Sequence, residues 1–140
     1  KRVSTVPGSS DRASSLGLGP GAVVQELGWD SDVDEELRDG LIEAVGDDFV
    51  YEAVEAVDVV LLWWRAEDGD LGDGLVDALT DLGSRGYIWL LTPKVGRSGY
   101  VDPTDLSEAA LTAGLALANP ASVAPDWQAH KLVRPKGSRR

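Results

Sequence analysis

Apolar residues along this chain come in short continuous runs that alternate with stretches of helical spacing. "AVVQEL", residues 22–27, reads as a short buried strand after the Pro20-Gly21 turn. Val33, Leu37, Leu41 and Ala44 or Val45 then recur at helical spacing. Ser31 or Asp32 is the predicted N-cap, acidic residues fill the positive first turn, and Gly46 closes the helix. "FVYEAVEA" fits a short strand or an irregular edge. "VDVVLLWW" is an unbroken β-branched and aromatic run, which suits a central strand covered on both faces. Leu71, Leu75, Leu79 and Leu82 mark a second helix. Gly86 then introduces "YIWLLTP", a second central strand that Pro93 ends. Asp102-Pro103 predicts a helix start, since aspartate caps free amides and proline fits the first turn. "ALANPASVA" and "WQAHKLVRP" read as two strands joined by a Pro125-Asp126 turn.

Strands that alternate with helices imply crossovers and a parallel sheet, whereas a terminal pair joined by a short turn must be antiparallel. The predicted fold is α/β, a three-layer sandwich, mostly parallel, with a C-terminal antiparallel hairpin. The 140 residues suit one domain, placed at 16–136. Residues 1–15, rich in Ser, Gly and Pro, are expected to form a disordered arm, and 137–140 a basic tail.

Charge and composition narrow the function. The net charge is −11 and unevenly spread. From Glu26 to Asp81 there are 19 acidic residues against Arg38 and Arg65 alone, while Arg85 to Arg140 carries 8 basic residues against 4 acidic. An acidic body opposes phosphate neutralisation, so nucleic acid is not an expected partner. No apolar run approaches the roughly 20 residues of a membrane span. The basic N-terminus lacks the apolar segment of a signal peptide. Cysteine is absent, which removes disulfides, thiolate metal sites and cysteine nucleophiles. A cytoplasmic protein is expected.

The blocks "PGAVVQELGWDSDVDEELRDGL", "VDVVLLWWRAEDGDLGDGLVDAL", "YIWLLTPKVGRSGYVDPTDLSEAALTAGL" and "DWQAHKLVRPK" span nearly everything from Leu16 to Lys136. Through them the chain resembles the actinobacterial domain-of-unknown-function family 3052. Its sheet is also similar to an abbreviated S-adenosylmethionine-dependent methyltransferase fold. The resemblance implies a cytoplasmic Rossmann-like domain and brings no catalytic residue with it.

Candidate chemistry lies where strands end, because open α/β sheets bind ligands beyond the carboxyl ends of their strands. Glu26 and Gly28 match the start of a methyltransferase-type loop, but Asp30 and Asp32 stand where further glycines would let a ligand approach. A pyrophosphate would meet these carboxylates, with repulsion of order 4 kcal/mol per close pair at an intermediate dielectric. NAD and ATP are therefore disfavoured, and no cofactor is expected. Asp30, Asp32 and Asp34 have the spacing that begins a calcium loop, yet its sixth and twelfth positions hold Glu35 and Leu41, so no metal site is expected. Lys94 and Arg97 in "TPKVGRSGY" could recognise an anion with the Thr92 hydroxyl, or simply balance Asp30 and Asp32.

Trp63, Trp64 and Trp89 are expected in the core, with Trp29 exposed at the ligand edge. His130 has no catalytic neighbour in the local sequence and is expected at a surface or edge strand. The ligand-binding candidates are thus Glu26, Gly28, Trp29, Asp30, Lys94 and Arg97, with no catalytic residue among them. Two functions remain open. One is a non-catalytic domain acting on a protein partner or as a regulator. The other is a small-ligand or methyltransferase-like protein using the carboxyl edge.

Overall fold

The computed structural model describes residues 16–52, 55–118 and 120–135; the expected arm at 1–15 and tail at 137–140 lie outside them. The elements run β1 (Val24–Leu27), α1 (Glu35–Val45), β2 (Val57–Trp63), a 3-10 turn (Ala66–Asp68) and α2 (Leu71–Ala78). They continue with β3 (Leu82–Pro93), α3 (Pro103–Ala113), β4 (Ala116–Leu117), β5 (Ala121–Ser122) and β6 (Trp127–Val133). β1, β2 and β3 pair in parallel in that order, and β6 lies antiparallel to β3. β4 and β5 both pair antiparallel with β6. The segment read as one strand before the last turn is therefore two short pieces, and β6 is interior. "FVYEAVEA" contributes an edge: Val50 bridges Gln25 in parallel and exchanges backbone hydrogen bonds with Val24 and Glu26.

Helices cover both faces, as the unbroken run of β2 demands. Val59, Leu61 and Trp63 pack on one face with Leu37 and Leu41 of α1 and with Trp127. Val60 and Leu62 pack on the other with Leu75 of α2 and with Leu106 and Ala110 of α3. Alternation breaks once. Val57 joins the α2/α3 side and Val59 the α1 side, where the single residue Asp58 stands opposite four residues, Gly83 to Gly86, in β3. Such bulges bend a strand and re-aim its side chains.

The helix ends follow the sequence with two shifts, the first being that α2 stops at Ala78, so that Leu82, read as helical, opens β3 instead. Asp34, not Ser31 or Asp32, caps α1 by accepting the Leu37 amide, and Gly46 closes it at φ 83°. Asp32 is engaged elsewhere, as described below. Asp102 caps α3 through the Thr104 amide, with Pro103 in its first turn and Gly114 at its end. No helix among the described residues is long and apolar enough to cross a membrane.

Candidate functional site

β1 and β2 end side by side, and their ends bring Glu26, Gly28, Trp63 and Arg65 together. Glu26 points into the α1 face with its side chain fully buried. Burying a carboxylate costs several kcal/mol unless it is paired and hydrogen-bonded. Here it is both. Arg38 of α1 donates from Nε and Nη2, each at 2.7 Å. The Tyr51 hydroxyl donates at 3.0 Å and the Trp63 indole Nε1 at 2.9 Å. The hydrogen bonds and charge of Glu26 hold Arg38 firmly protonated. Burial and the Glu26 carboxylate together raise the Tyr51 phenol above its usual pKa.

Gly28 has φ 79°, a left-handed conformation that favours glycine. A Cβ there would sit 2.2 Å from the Trp63 carbonyl oxygen. The close approach that requires glycine is thus made by the backbone of β2, where the sequence suggested a ligand. Directly beyond, Arg65 Nη1 donates to the Gly28 carbonyl at 2.7 Å. Its Nε donates to Asp32 at 3.0 Å, its Nη1 reaches Asp68 at 3.3 Å, and its guanidinium lies over the Trp127 ring at 5.3 Å. The Arg65 hydrogen bond holds the Asp32 carboxyl below its ordinary pKa. Burial disfavours the Arg65 charge, but the hydrogen bonds and charges of Asp32 and Asp68 outweigh it and raise its pKa.

Arg38 and Arg65 are the residues of this edge that motif reading missed. The available signal was their isolation as the two basic residues in a strongly acidic stretch. Asp32 is balanced by Arg65 and not by Lys94 or Arg97. Arg97 turns instead to Asp126, at 2.7 Å, and the Lys94 backbone amide donates to the Asp126 carbonyl. Asp30 accepts the Ser31 amide at 2.7 Å. Trp29 is half exposed as expected, while Trp63 and Trp89 are core. Trp64 is partly buried and packs over Gly74, where a Cβ would meet its ring at 2.6 Å. Trp29 and Trp64 line a cleft of about 460 Å³ with Asp30, Asp68 and Asp77. Glu26 therefore lies in the core, whereas Trp29 and Asp30 stay on the carboxyl edge. No group of three or more metal-ligating side chains occurs among the described residues.

Thr92 and His130 correct two further expectations. Thr92 is fully buried, so its hydroxyl is not available to an anion beside Lys94. It lies 3.0 Å from His130 Nε2. His130 is not a surface residue: it is 2% exposed on interior strand β6, on the face it shares with Leu132, which packs with side chains of α2 and α3. Burial lowers its pKa from 6.5 to about 4. The unfolded chain takes up this proton near pH 6.5 and the folded chain only near pH 4, so acid favours unfolding across that window. This stability is complete above the higher value, and about 3 kcal/mol is lost on descending to the lower one. Urea unfolding of the wild type and of His130→Gln at both ends of the window checks it, with the variant losing less on acidification.

The fold is a Rossmann-like α/β sandwich similar to the fold of S-adenosylmethionine-dependent methyltransferases. A TehB-like methyltransferase from Corynebacterium glutamicum superposes with a TM-score of 0.55 at 17% identity, over 91% of this chain and 88% of that one. An O-methyltransferase from neocarzinostatin biosynthesis, solved with S-adenosylmethionine, gives 0.62 at 14% identity over 82% and 49%. A methyltransferase from Aquifex aeolicus gives 0.53 at 13% identity, over 89% of each chain. At such identities the likeness is one of fold alone. The chain belongs to the family described as protein of unknown function DUF3052, whose model matches residues 13–136. Uncharacterised proteins of Mycobacterium bovis and Mycobacterium tuberculosis are each 44% identical over 129 residues, 91% of this chain and 81% of theirs.

Proposed function

We propose that this is a non-catalytic Rossmann-like domain that works by docking a protein partner at its carboxyl edge. One observation carries the reading. At the ends of β1 and β2 the polar groups are satisfied by the protein itself, Glu26 by Arg38, Tyr51 and Trp63, and the Gly28 carbonyl by Arg65. What stays open at this edge is Trp29, 50% exposed beside Asp30. An exposed indole with an acidic rim suits a partner surface carrying apolar and basic side chains.

A second reading, a small-ligand or methyltransferase-like protein, is favoured by the cleft between Trp29 and Trp64 and by the fold of the methyltransferases. S-adenosylmethionine is a sulfonium cation, and carboxylates and indoles are compatible with it.

One experiment separates the two. Thermal-shift measurement with S-adenosylmethionine, S-adenosylhomocysteine, NAD and ATP should give a flat response. A ligand at a hundredfold excess over its Kd stabilises by about 2.7 kcal/mol and would be seen at once. A rise with S-adenosylmethionine that Trp64→Ala removes would establish the second reading. On the first reading, Trp29→Ala keeps its melting temperature and weakens a complex captured from the native extract about tenfold or more. Full retention of that complex would reject the Trp29 surface.

A further inference from the structure

One corner at the opposite end of the sheet gathers basic residues. Arg85 lies in the Gly83–Gly86 bulge of β3, and Lys131 and Arg134 lie on β6 and just past it. They line one cleft of about 930 Å³ with Ser84, Tyr87 and Val133, and no carboxylate lines it among the described residues. Lys131 Nζ stands 4.3 Å over the Tyr87 ring, and Arg134 Nη1 donates to the Gly83 carbonyl at 2.7 Å. Asp58 also lies near Tyr87, but its carboxylate accepts the Val23 amide at 2.8 Å.

In a chain with 24 acidic residues against 13 basic, carboxylates are plentiful. Each arginine of the other edge pairs with one: Arg38 with Glu26, Arg65 with Asp32 and Arg97 with Asp126. Arg85, Lys131 and Arg134 have no carboxylate partner among the described residues. Arg85 is exposed within the bulge, and Arg134 ties that bulge to the end of β6. The cations are thus set around a partly apolar cleft with no carboxylate in ion-pair contact among the described residues.

We infer that this cleft, bounded by Arg85, Tyr87, Lys131 and Arg134, is a docking surface for an acidic, apolar-interspersed segment of a partner protein. The inference is independent of what the carboxyl edge binds. Charge complementarity selects carboxylates, and the floor of Tyr87, Val133 and Ala116 selects apolar side chains between them. A nucleic-acid duplex suits the site less. Its phosphates extend beyond three cations onto a body whose remaining field is repulsive. A short peptide makes its contacts locally, within about one Debye length.

The test uses the full chain and a fluorescein-labelled peptide of alternating Glu and Leu, read by anisotropy at low salt. Saturable binding is expected, weakened about tenfold or more by Arg85→Gln with Lys131→Gln at unchanged melting temperature. Trp29→Ala and Lys94→Gln should leave it intact, which separates this surface from the other edge. Amide shifts confined to Ser84, Gly86 and Val133 would support the location without any variant. No saturable binding, or an equal loss in Lys94→Gln, would overturn the proposal. Competition by inorganic phosphate or a DNA duplex at the peptide's own affinity would also overturn it. So would self-association at low salt that the double variant abolishes, since the occupant would then be a second copy.

Discussion

Replacing Arg38 by Ala should destabilise the domain by about 3–5 kcal/mol, among the largest effects available to one exchange in this chain. The reason is the state in which it leaves Glu26. The carboxylate side chain is fully buried and loses two charge-assisted hydrogen bonds of 2.7 Å together with its counter-ion. Tyr51 and Trp63 remain as donors, but neither carries charge. Surface pairs behave differently. Arg97–Asp126, more than half exposed on both sides, should cost under about 1 kcal/mol when broken. The informative control is the double variant Glu26→Leu, Arg38→Met. It removes the buried charge along with its partner and should recover most of the loss, leaving a deficit of about 1–2 kcal/mol for the Tyr51 and Trp63 donors left unpaired. Urea unfolding of the single and double variants measures the coupling directly. If Arg38→Ala cost no more than a surface pair, the inward-facing Glu26 would be wrong.

Gly28→Ala should cost at least about 3 kcal/mol, seen as a fall of roughly 10 °C in melting temperature. Two penalties combine. The left-handed φ of 79° disfavours any residue with a Cβ. That Cβ would also press against the Trp63 carbonyl, which belongs to the rigid end of β2 and cannot swing away as a side chain could. Gly46→Ala separates the two contributions. Its φ of 83° is similar, but nothing lies within 4 Å of the added carbon, so about 1 kcal/mol is expected. A large loss at Gly28 beside a small one at Gly46 would identify strand packing as the requirement. Were Gly28→Ala harmless to folding, the glycine would have to be explained by ligand approach after all.

Both predictions mark how far the chain could be read in advance. The runs "VVQEL", "VDVVLLWW" and "YIWLLTP" became the three parallel strands, because a sheet covered on both faces imprints continuous apolar stretches on the sequence. The helices were legible for a similar reason: their spacing, Asp102-Pro103 and the closing Gly46 and Gly114 act within a few residues of chain. Trp29 could be placed at the exposed edge by position alone.

What the sequence determined by itself was thus the class of fold, the location of its carboxyl edge and the uneven charge along it. All of these are set by short-range periodicity or by composition. The pairings that govern that edge were decided in three dimensions. Arg38 reaches Glu26 across 12 residues, Arg65 reaches Asp32 across 33, and Trp127 donates to the Asp32 carbonyl across 95. An acid next to a strand end looks the same in sequence whether it faces a ligand or the core. His130 likewise gave no sign of burial, since only the packing of α2 and α3 against the face it shares with Leu132 removes it from water. Local patterns fix elements; which charge meets which is fixed by the sheet order that brings distant strand ends together.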